Sequence, residues 1–212
     1  MPRASSVSFI IPVYDGGGNL RGVTVELDSK LRSLDCLDYE VLAYYRKTIG
    51  EAFRSGVIDS SKKYLGIYSA YDQIDSRSLD SIIPALKEAD VVVGFIANPE
   101  ARSWLRRVYS WTNVVLANFF FGLNLKYYHF CFFRADLAKK VETSSSSHAS
   151  MTETAVWLIS SGATYVHVPI FLKPHDFSSK SGAFRITNLA KILSVYLRLF
   201  IQIRIMRKRL VL

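Results

Sequence analysis

Cysteine is nearly absent from this sequence, and the two cysteines present stand alone. Cys36 and Cys131 are far apart, and neither belongs to a CxxC motif. Two isolated thiols cannot form a zinc site by themselves, and they do not indicate the disulfide framework of a small secreted domain. The first residues, Met1 to Ser8, are short and polar and do not predict a signal peptide. We therefore expect a reduced, cytosolic protein.

Acidic residues are the second shortage, and they are missing above all from the C-terminal part. The chain has 27 Lys and Arg against 18 Asp and Glu, which gives a formal net charge of +9. No acidic residue follows Asp176, whereas seven cations follow from residue 185 onward: Arg185, Lys191, Arg198, Arg204, Arg207, Lys208 and Arg209. A nearly neutral body with a basic tail favours anionic lipid or nucleic acid as the partner of that tail.

Long uncharged stretches are also rare, and Val108 to Leu125 reaches the length of a membrane span. That stretch carries Ser110, Asn113 and Asn118, and each of these polar side chains is costly in hydrocarbon. The pattern therefore favours a buried helix followed by a turn at Gly122 over a true span.

Hydrophobic residues are abundant and make up 50% of the chain. They occur in short segments, some with the pattern of a strand and others with the periodicity of a helix. Runs typical of strands occupy residues 7–13, 39–45, 64–69, 90–95, 127–133 and 164–171. Helical patterns occupy residues 19–34, 50–60, 78–89, 102–118, 135–141 and 152–161. This alternation predicts one α/β domain with a mostly parallel sheet that helices cover on both faces.

The C-terminal segment predicts one long helix from Asn188. Its polar side chains fall on one stripe, whereas a wide apolar surface remains: Leu189, Ile192, Leu193, Tyr196, Leu199, Phe200, Ile203 and Met206. That surface is broader than packing on one small domain requires, so we expect a basic amphipathic helix that lies in a membrane interface or docks on a membrane protein. The predicted organisation is a domain at residues 1–183 and this helix at 184–212. Its membrane-binding candidates are Lys191, Arg198, Arg204, Arg207, Lys208 and Arg209.

Segments along nearly the whole chain resemble a known family, among them VSFIIPVYDGGGNL at residues 7–20, WLRRVYSWTNVVLANFFFGLNL at 104–125 and TETAVWLISSGATYVHVPIFLKP at 152–174. They are similar to family 2 glycosyltransferases, in the branch of dolichol-phosphate mannose synthase. The resemblance implies a GT-A-like (Rossmann-like) fold. It further implies sugar transfer from a nucleotide sugar to a polyprenyl phosphate or a related lipid acceptor.

The resemblance also implies carboxylates that hold the nucleoside, and most of them are replaced here. Pro12 and Tyr14 are retained, and Asp15 stands for the usual Asn. After the second strand, the expected V-D-D-G-S is YYRKT at residues 44–48, which places Arg46 where an acid is expected. The candidate nucleotide-sugar residues are therefore Pro12, Tyr14, Asp15, Arg46 and Gln73.

The metal motif implied by the resemblance is altered as well. The family's D-A-D-L-Q corresponds to SAYDQ at residues 69–73, so only Asp72 remains as a candidate metal ligand. Mg²⁺ and Mn²⁺ require several well-placed oxygens, which Asp72 and Gln73 supply poorly. We therefore predict no bound cofactor, with Mg²⁺ or Mn²⁺ as the candidate ion if transfer is retained. The loss of acids argues against a nucleotide-sugar donor.

The phosphate and acceptor candidates are cationic. Arg106 and Arg107 lie where the family keeps an arginine, and guanidinium suits a lipid phosphate; a solvated helix face is the alternative. The family's late R-x-x-G-x-S-K loop corresponds loosely to the segment from His175 to Lys180, and both of these residues are candidates.

Two functions remain open at this point, and the sequence does not identify a catalytic residue for either. The first is a glycosyltransferase bound peripherally to the cytoplasmic face of a membrane. The second is a catalytically inactive relative, a pseudoenzyme that acts as a membrane-associated scaffold or regulator. Nucleic acid is disfavoured as a partner because the aromatic stretch from Tyr109 to Phe133 lacks the interleaved basic residues that base stacking needs.

Overall fold

The computed structural model describes residues 6–13, 19–36, 38–70, 74–126, 128–143, 145, 149–173 and 194–205. The strands are β1 Val7–Val13, β2 Tyr39–Tyr45, β3 Tyr64–Ile67, β4 Val91–Ile96, β5 Tyr128–Arg134 and β6 Tyr165–Ile170. The helices are α1 Leu20–Ser33, α2 Ile49–Asp59, α3 Leu79–Ala85, α4 Trp104–Phe121, α5 Ala135–Ala138, α6 Ala149–Ser160 and α7 at residues 194–205, whose last turn, Ile201–Ile205, is a π-helix.

The six strands form one sheet in the order β2-β1-β3-β5-β4-β6. All neighbouring pairs are parallel except those of β5, which runs antiparallel to both β3 and β4. Tyr128 at the start of β5 pairs with Phe95 near the end of β4, so the chain enters β5 from the edge at which β4 leaves. The predicted mostly parallel sheet is confirmed, with β5 as the antiparallel insertion.

Helices cover both faces of the sheet and enclose two apolar cores. Phe9 and Ile10 are adjacent in β1 and belong to different cores, because successive strand side chains point to opposite faces. The first core contains side chains of α1 and α3. The second contains side chains of α2, α4, α5, α6 and α7. The predicted three-layer α/β arrangement is therefore present.

Local sequence explains where the helices begin and end. The Asn19 side chain accepts a hydrogen bond from the Gly22 amide and caps α1. Thr48 and Glu51 form a reciprocal capping box at the start of α2. Gly122 ends α4 in the left-handed region at φ 65°, which glycine adopts without steric cost.

The structure corrects the expectation that α4 is a buried helix. Val114, Ala117 and Phe121 are buried, whereas Trp111 and Phe119 on the opposite side are exposed. Apolar composition alone does not indicate that a helix is covered on every side. No helix within the described part of the chain combines the length and the apolar character that crossing a bilayer requires.

Part of the C-terminal apolar surface packs on its own domain, whereas Leu189, Ile192, Leu193 and Met206 lie outside the described residues. Tyr196, Leu199 and Ile203 are buried in the second core. Arg198, predicted to meet a membrane, instead places Nη2 2.6 Å from Oε1 of Glu153. The physical reason is that Glu153 is buried in α6, and a buried carboxylate needs a cationic partner. The side chain of Arg204 and residues Lys191, Arg207, Lys208 and Arg209 lie outside the described part.

Candidate functional site

The candidate site is the edge of the sheet at which five parallel strands end. The last residues of these strands are Val13, Tyr45, Ile67, Ile96 and Ile170. In open α/β sheets, ligands bind in the crevice outside the carboxyl ends of the strands. We call this edge, together with the loops that follow these strands, the carboxyl edge.

Arg46 lies at the carboxyl edge and has an unusual backbone conformation. It immediately follows β2, its amide donates to the Val13 carbonyl over 3.1 Å, and its side chain is exposed. Its φ of 56° lies in the left-handed region, which Asp tolerates better than Arg does. Backbone conformations of this kind concentrate at functional sites. The turn therefore places the positively charged residue Arg46 next to the end of β1, at the position where the family resemblance implies an acid.

Lys47, by contrast, is held against α2. Its ammonium group donates to Oγ of Ser55 over 2.8 Å and lies 5.0 Å from the ring centre of Tyr44. The neighbouring Glu51 accepts from both the amide and the hydroxyl of Thr48, and these hydrogen bonds lower the pKa of the Glu51 carboxyl. The loop after β2 thus supplies Arg46 to the edge, while Lys47 and Glu51 stabilise α2.

The described carboxylates near the carboxyl edge are engaged in structural contacts. Asp75 accepts from the Arg77 amide over 3.0 Å and pairs with Nε of the same residue. Glu26 in α1 pairs with Lys173, the ammonium nitrogen lying 2.8 Å from Oε2. The first pair stabilises the short helical turn Ser76–Ser78, and the second connects the chain after β6 to α1.

The divalent cation that the family resemblance implies does not fit the described residues. Within the ranges given above, no three His, Cys, Asp or Glu side chains lie close enough together to hold a metal ion. Cations of this kind need several oxygen ligands. Asp72, the predicted ligand, lies outside the described residues.

Sequence reasoning missed two residues that organise the carboxyl edge. Asn98, which follows β4, donates its amide to the Leu172 carbonyl over 2.8 Å and accepts from the Leu172 amide over 2.9 Å. The Arg77 guanidinium lies 4.2 Å from the ring centre of Phe171. Each contact fixes the chain after β6. The position of Asn98 directly after a buried strand was the signal that could have identified it.

His167 makes a structural contact between β6 and the chain that precedes β5. It lies in β6, and its Nε2 accepts a hydrogen bond from the Lys126 amide over 3.2 Å. Burial lowers the pKa of the His167 imidazole, and the nearby Lys126 ammonium lowers it further. The neutral ring therefore joins the end of the α4–β5 connection to β6.

The structure brings some predicted residues together and separates others. Pro12 is buried near the end of β1, next to the end of β2 that carries Arg46. Arg107 is exposed in the first turn of α4, and only the backbone of Arg106 is described there. Five nucleotide and acceptor candidates lie outside the described residues: Tyr14, Asp15, Gln73, His175 and Lys180.

An open groove of about 690 Å³ runs along the solvent side of α1. Its lining includes Asn19, Gly22, Glu26, Lys30 and Ser76. The groove begins at the carboxyl edge but extends beside α1 rather than over the ends of β1 and β2. We therefore do not include it in the candidate site.

The sequence matches no protein-family model, and no curated protein matches it either. Solved structures do match the fold. Glucosyl-3-phosphoglycerate synthase from Mycobacterium tuberculosis in complex with UDP has a TM-score of 0.61 at 12% identity, over 91% of this chain and 80% of that one. Its complex with Mn²⁺, UDP-glucose and phosphoglyceric acid has a TM-score of 0.56 at 11% identity, over 91% and 80%. Its complex with Mg²⁺ and UDP has a TM-score of 0.57 at 12% identity, over 90% and 79%.

The chain therefore has the fold of a GT-A-type glycosyltransferase, as the resemblance implied. At these identities the likeness concerns the fold alone. The neighbours were solved with nucleotide, sugar nucleotide and divalent metal. At the carboxyl edge, the described residues of this chain present Arg46 and no carboxylate cluster.

Proposed function

We propose that this protein is a GT-A-fold glycosyltransferase that binds a nucleotide sugar at the carboxyl edge without a divalent metal. Its acceptor is a polyprenyl phosphate or a related lipid, used at the cytoplasmic face of a membrane. Membership of family 2, near the dolichol-phosphate mannose synthase branch, is part of the proposal. The observation that carries it is a GT-A sheet with an exposed Arg46, held in a left-handed turn, beside the end of β1.

In this mechanism, an oxygen of the acceptor phosphate attacks the anomeric carbon of the donor. The bond from that carbon to the donor diphosphate breaks, and the nucleoside diphosphate leaves with the electron pair. The acceptor phosphate is already anionic, so no general base has to remove a proton. Arg46 stabilises the negative charge that develops on the leaving diphosphate. The same arginine can do so by charge-assisted hydrogen bonds that lysine would not match in geometry.

A non-catalytic scaffold or regulator is the second candidate, and a specific observation favours it. Asp75, Glu26 and Glu51 are all engaged in ion pairs or helix caps near the edge. A fold that keeps its scaffold contacts while its catalytic carboxylates are replaced is typical of a relative retained for binding. In that case the protein would bind a membrane or a membrane partner without transferring sugar.

Donor binding is the first test of the proposal. At about 100 times its Kd, a bound donor should stabilise the protein by roughly 2.7 kcal/mol. We expect this stabilisation in thermal unfolding with a UDP or GDP sugar, equally in EDTA and in Mg²⁺ or Mn²⁺. Arg46→Ala should lose most of it, whereas Arg32→Ala, which removes an exposed arginine of α1 far from the edge, should keep it. An absence of stabilisation with every donor would remove the transferase proposal.

A transfer assay then separates the two candidates. Incubation of the protein with a labelled donor sugar and polyprenyl phosphate in detergent should yield labelled lipid. Arg46→Ala should lower the rate without changing the melting temperature of the free protein. Donor binding with no labelled lipid would favour the non-catalytic candidate.

A further inference from the structure

We propose that α4 and α7 together form a docking face for an anionic lipid bilayer. The face, called here the outer apolar face, consists of seven exposed side chains: Trp104, Val108, Trp111, Val115 and Phe119 of α4, and Leu197 and Ile201 of α7. The inference deepens the proposed function, because it names the surface that would bring the carboxyl edge to a lipid acceptor.

The α4 part of this face is one continuous stripe. Its five residues follow the spacing of 3 or 4 that places side chains on one side of a helix. They are between 40% and 80% exposed, although each is large and apolar. The buried residues of the same helix, Val114, Ala117 and Phe121, lie on the opposite side. The stripe therefore points directly away from the core.

Contacts between α7 and the neighbouring helices extend the stripe. The Tyr196 hydroxyl donates to Oδ1 of Asn113 over 2.5 Å, and the rings of Phe200 and Phe120 lie 5.7 Å apart. The Arg198–Glu153 pair anchors α7 to α6. These contacts hold α7 against α4, and Leu197 and Ile201 are the exposed apolar residues that α7 adds to the proposed face.

Scattered exposed apolar side chains are normal on soluble proteins, but contiguous ones mark an interaction site. Val25 and Ile58 are examples of the first kind, since each is the one large exposed apolar residue of its helix. The outer apolar face is of the second kind, and its two tryptophans and Phe119 suit the boundary between headgroups and acyl chains.

The charges around the outer apolar face favour an anionic bilayer over a second copy of the chain as its binding partner. The sequence has no acidic residue from position 101 to 135, which includes all of α4, and none after Asp176, which includes all of α7. Arg107 is exposed at the beginning of the stripe, and Arg207, Lys208 and Arg209 follow α7 in the sequence. An anionic bilayer complements this charge. A symmetric pair of chains would instead bring cations against cations, since an isologous interface uses the same patch twice.

Vesicle flotation tests the proposal with a matched control. The variant Trp111→Ser with Phe119→Ser removes two large rings from the face. The control Val25→Ser with Ile58→Ser removes two equally exposed apolar side chains, 63% and 75% exposed, on α1 and α2. We expect the wild type and the control to float with phosphatidylcholine–phosphatidylserine vesicles. The face variant should bind these vesicles at least about tenfold more weakly, because it has lost apolar surface that would enter the bilayer.

The charge component has its own variant. Arg107→Gln should lower binding to anionic vesicles by about fivefold and leave binding to pure phosphatidylcholine unchanged. Melting temperatures of all variants should stay near that of the wild type, because the substituted side chains are exposed.

The following outcomes would overturn the proposal. Equal flotation of the face variant and the control would show that the face does not contact lipid. A wild type that is dimeric by light scattering, with a monomeric face variant, would assign the face to a second copy of the chain. Thermal stabilisation by the donor, measured on the same variants without vesicles, distinguishes the two proposals. Flotation without donor binding would contradict only the proposed function. Donor binding without flotation would contradict only the docking face.

Discussion

At the scale of single residues, the Glu153–Arg198 pair determines how the C-terminal helix attaches. Glu153 is 2% exposed and lies in α6, whereas Arg198 comes from α7 and is partly exposed. The sequence showed a cation in a basic stripe and thereby suggested contact with a membrane. It could not show that a carboxylate 45 residues earlier would be buried underneath and would require that cation.

Removal of Arg198 should therefore destabilise the fold. Arg198→Ala leaves a buried carboxylate without its cationic partner, which costs about 1–3 kcal/mol. The matched control is Arg32→Ala, which removes an exposed arginine paired with Asp28 one turn away on the same helix and should cost less than about 0.5 kcal/mol. Urea unfolding followed by circular dichroism measures both. Equal effects would contradict the assigned role of the pair.

His167 is the second residue whose environment has a measurable consequence. Burial lowers its folded-state pKa below the unfolded value, so the unfolded chain binds a proton more readily as the pH falls through about 6.5. The stability that the neutral ring contributes is thus present above that pH and decreases between it and the lower folded pKa.

The prediction concerns the slope of stability between pH 7.5 and 5.5. The wild type should lose stability on acidification over this range, by a fraction of the about 1.4 kcal/mol per pH unit that one proton can contribute. His167→Gln keeps an acceptor for the Lys126 amide but does not titrate, so its slope should be shallower. Parallel slopes in urea titrations at several pH values would show that His167 is not the titrating group.

At the scale of helices and strands, periodicity predicted the elements well and their exposure poorly. The strand β2 has the predicted bounds. The bounds of α1 and α2 agree to within one residue, because capping residues recognisable in the sequence begin both helices. The exposed stripe of α4 was not foreseen. Apolar residues such as Trp, Val and Phe occur on both sides of α4. Only the packing of the neighbouring helices therefore decides which side is covered.

The capping box of α2 gives a prediction for one element. Thr48→Ala removes the hydroxyl that accepts from the Glu51 amide and should cost about 1 kcal/mol. Ser103 occupies the same position before α4 but makes no capping hydrogen bond through its side chain, so Ser103→Ala should change the stability by a few tenths at most. Chemical denaturation measures the free energy of unfolding of both variants and thereby compares a residue that makes a capping hydrogen bond with one that does not. Equal losses would contradict the capping assignment.

At the scale of the whole molecule, the order of elements was sufficient for the fold class but not for the full topology. Strand and helix alternation predicts parallel pairing, yet β5 is inserted antiparallel between β3 and β4. The position of β5 depends on the path that the chain takes through α4 and the turn at Gly122. No local sequence pattern predicts that path. The candidate site was predictable to the extent that Arg46 follows β2. The contacts of Asn98 with Leu172, 74 residues later, were not predictable.

The whole molecule thus combines a GT-A sheet with a cationic carboxyl edge and a basic, apolar outer face. We propose that the first surface takes over the role of the acids that the family resemblance implies, and that the second contacts a membrane. The central claim is that a diphosphate can bind at an edge that has lost its metal ligands.

Diffraction from crystals soaked with UDP and MnCl₂, recorded at the manganese absorption edge, tests this claim most directly. We expect a diphosphate contacting Arg46 beyond the ends of β1 and β2, with no anomalous peak beside it. A manganese ion bound by Asp72 next to the diphosphate would contradict metal-free binding. An empty edge at saturating UDP would contradict nucleotide binding altogether.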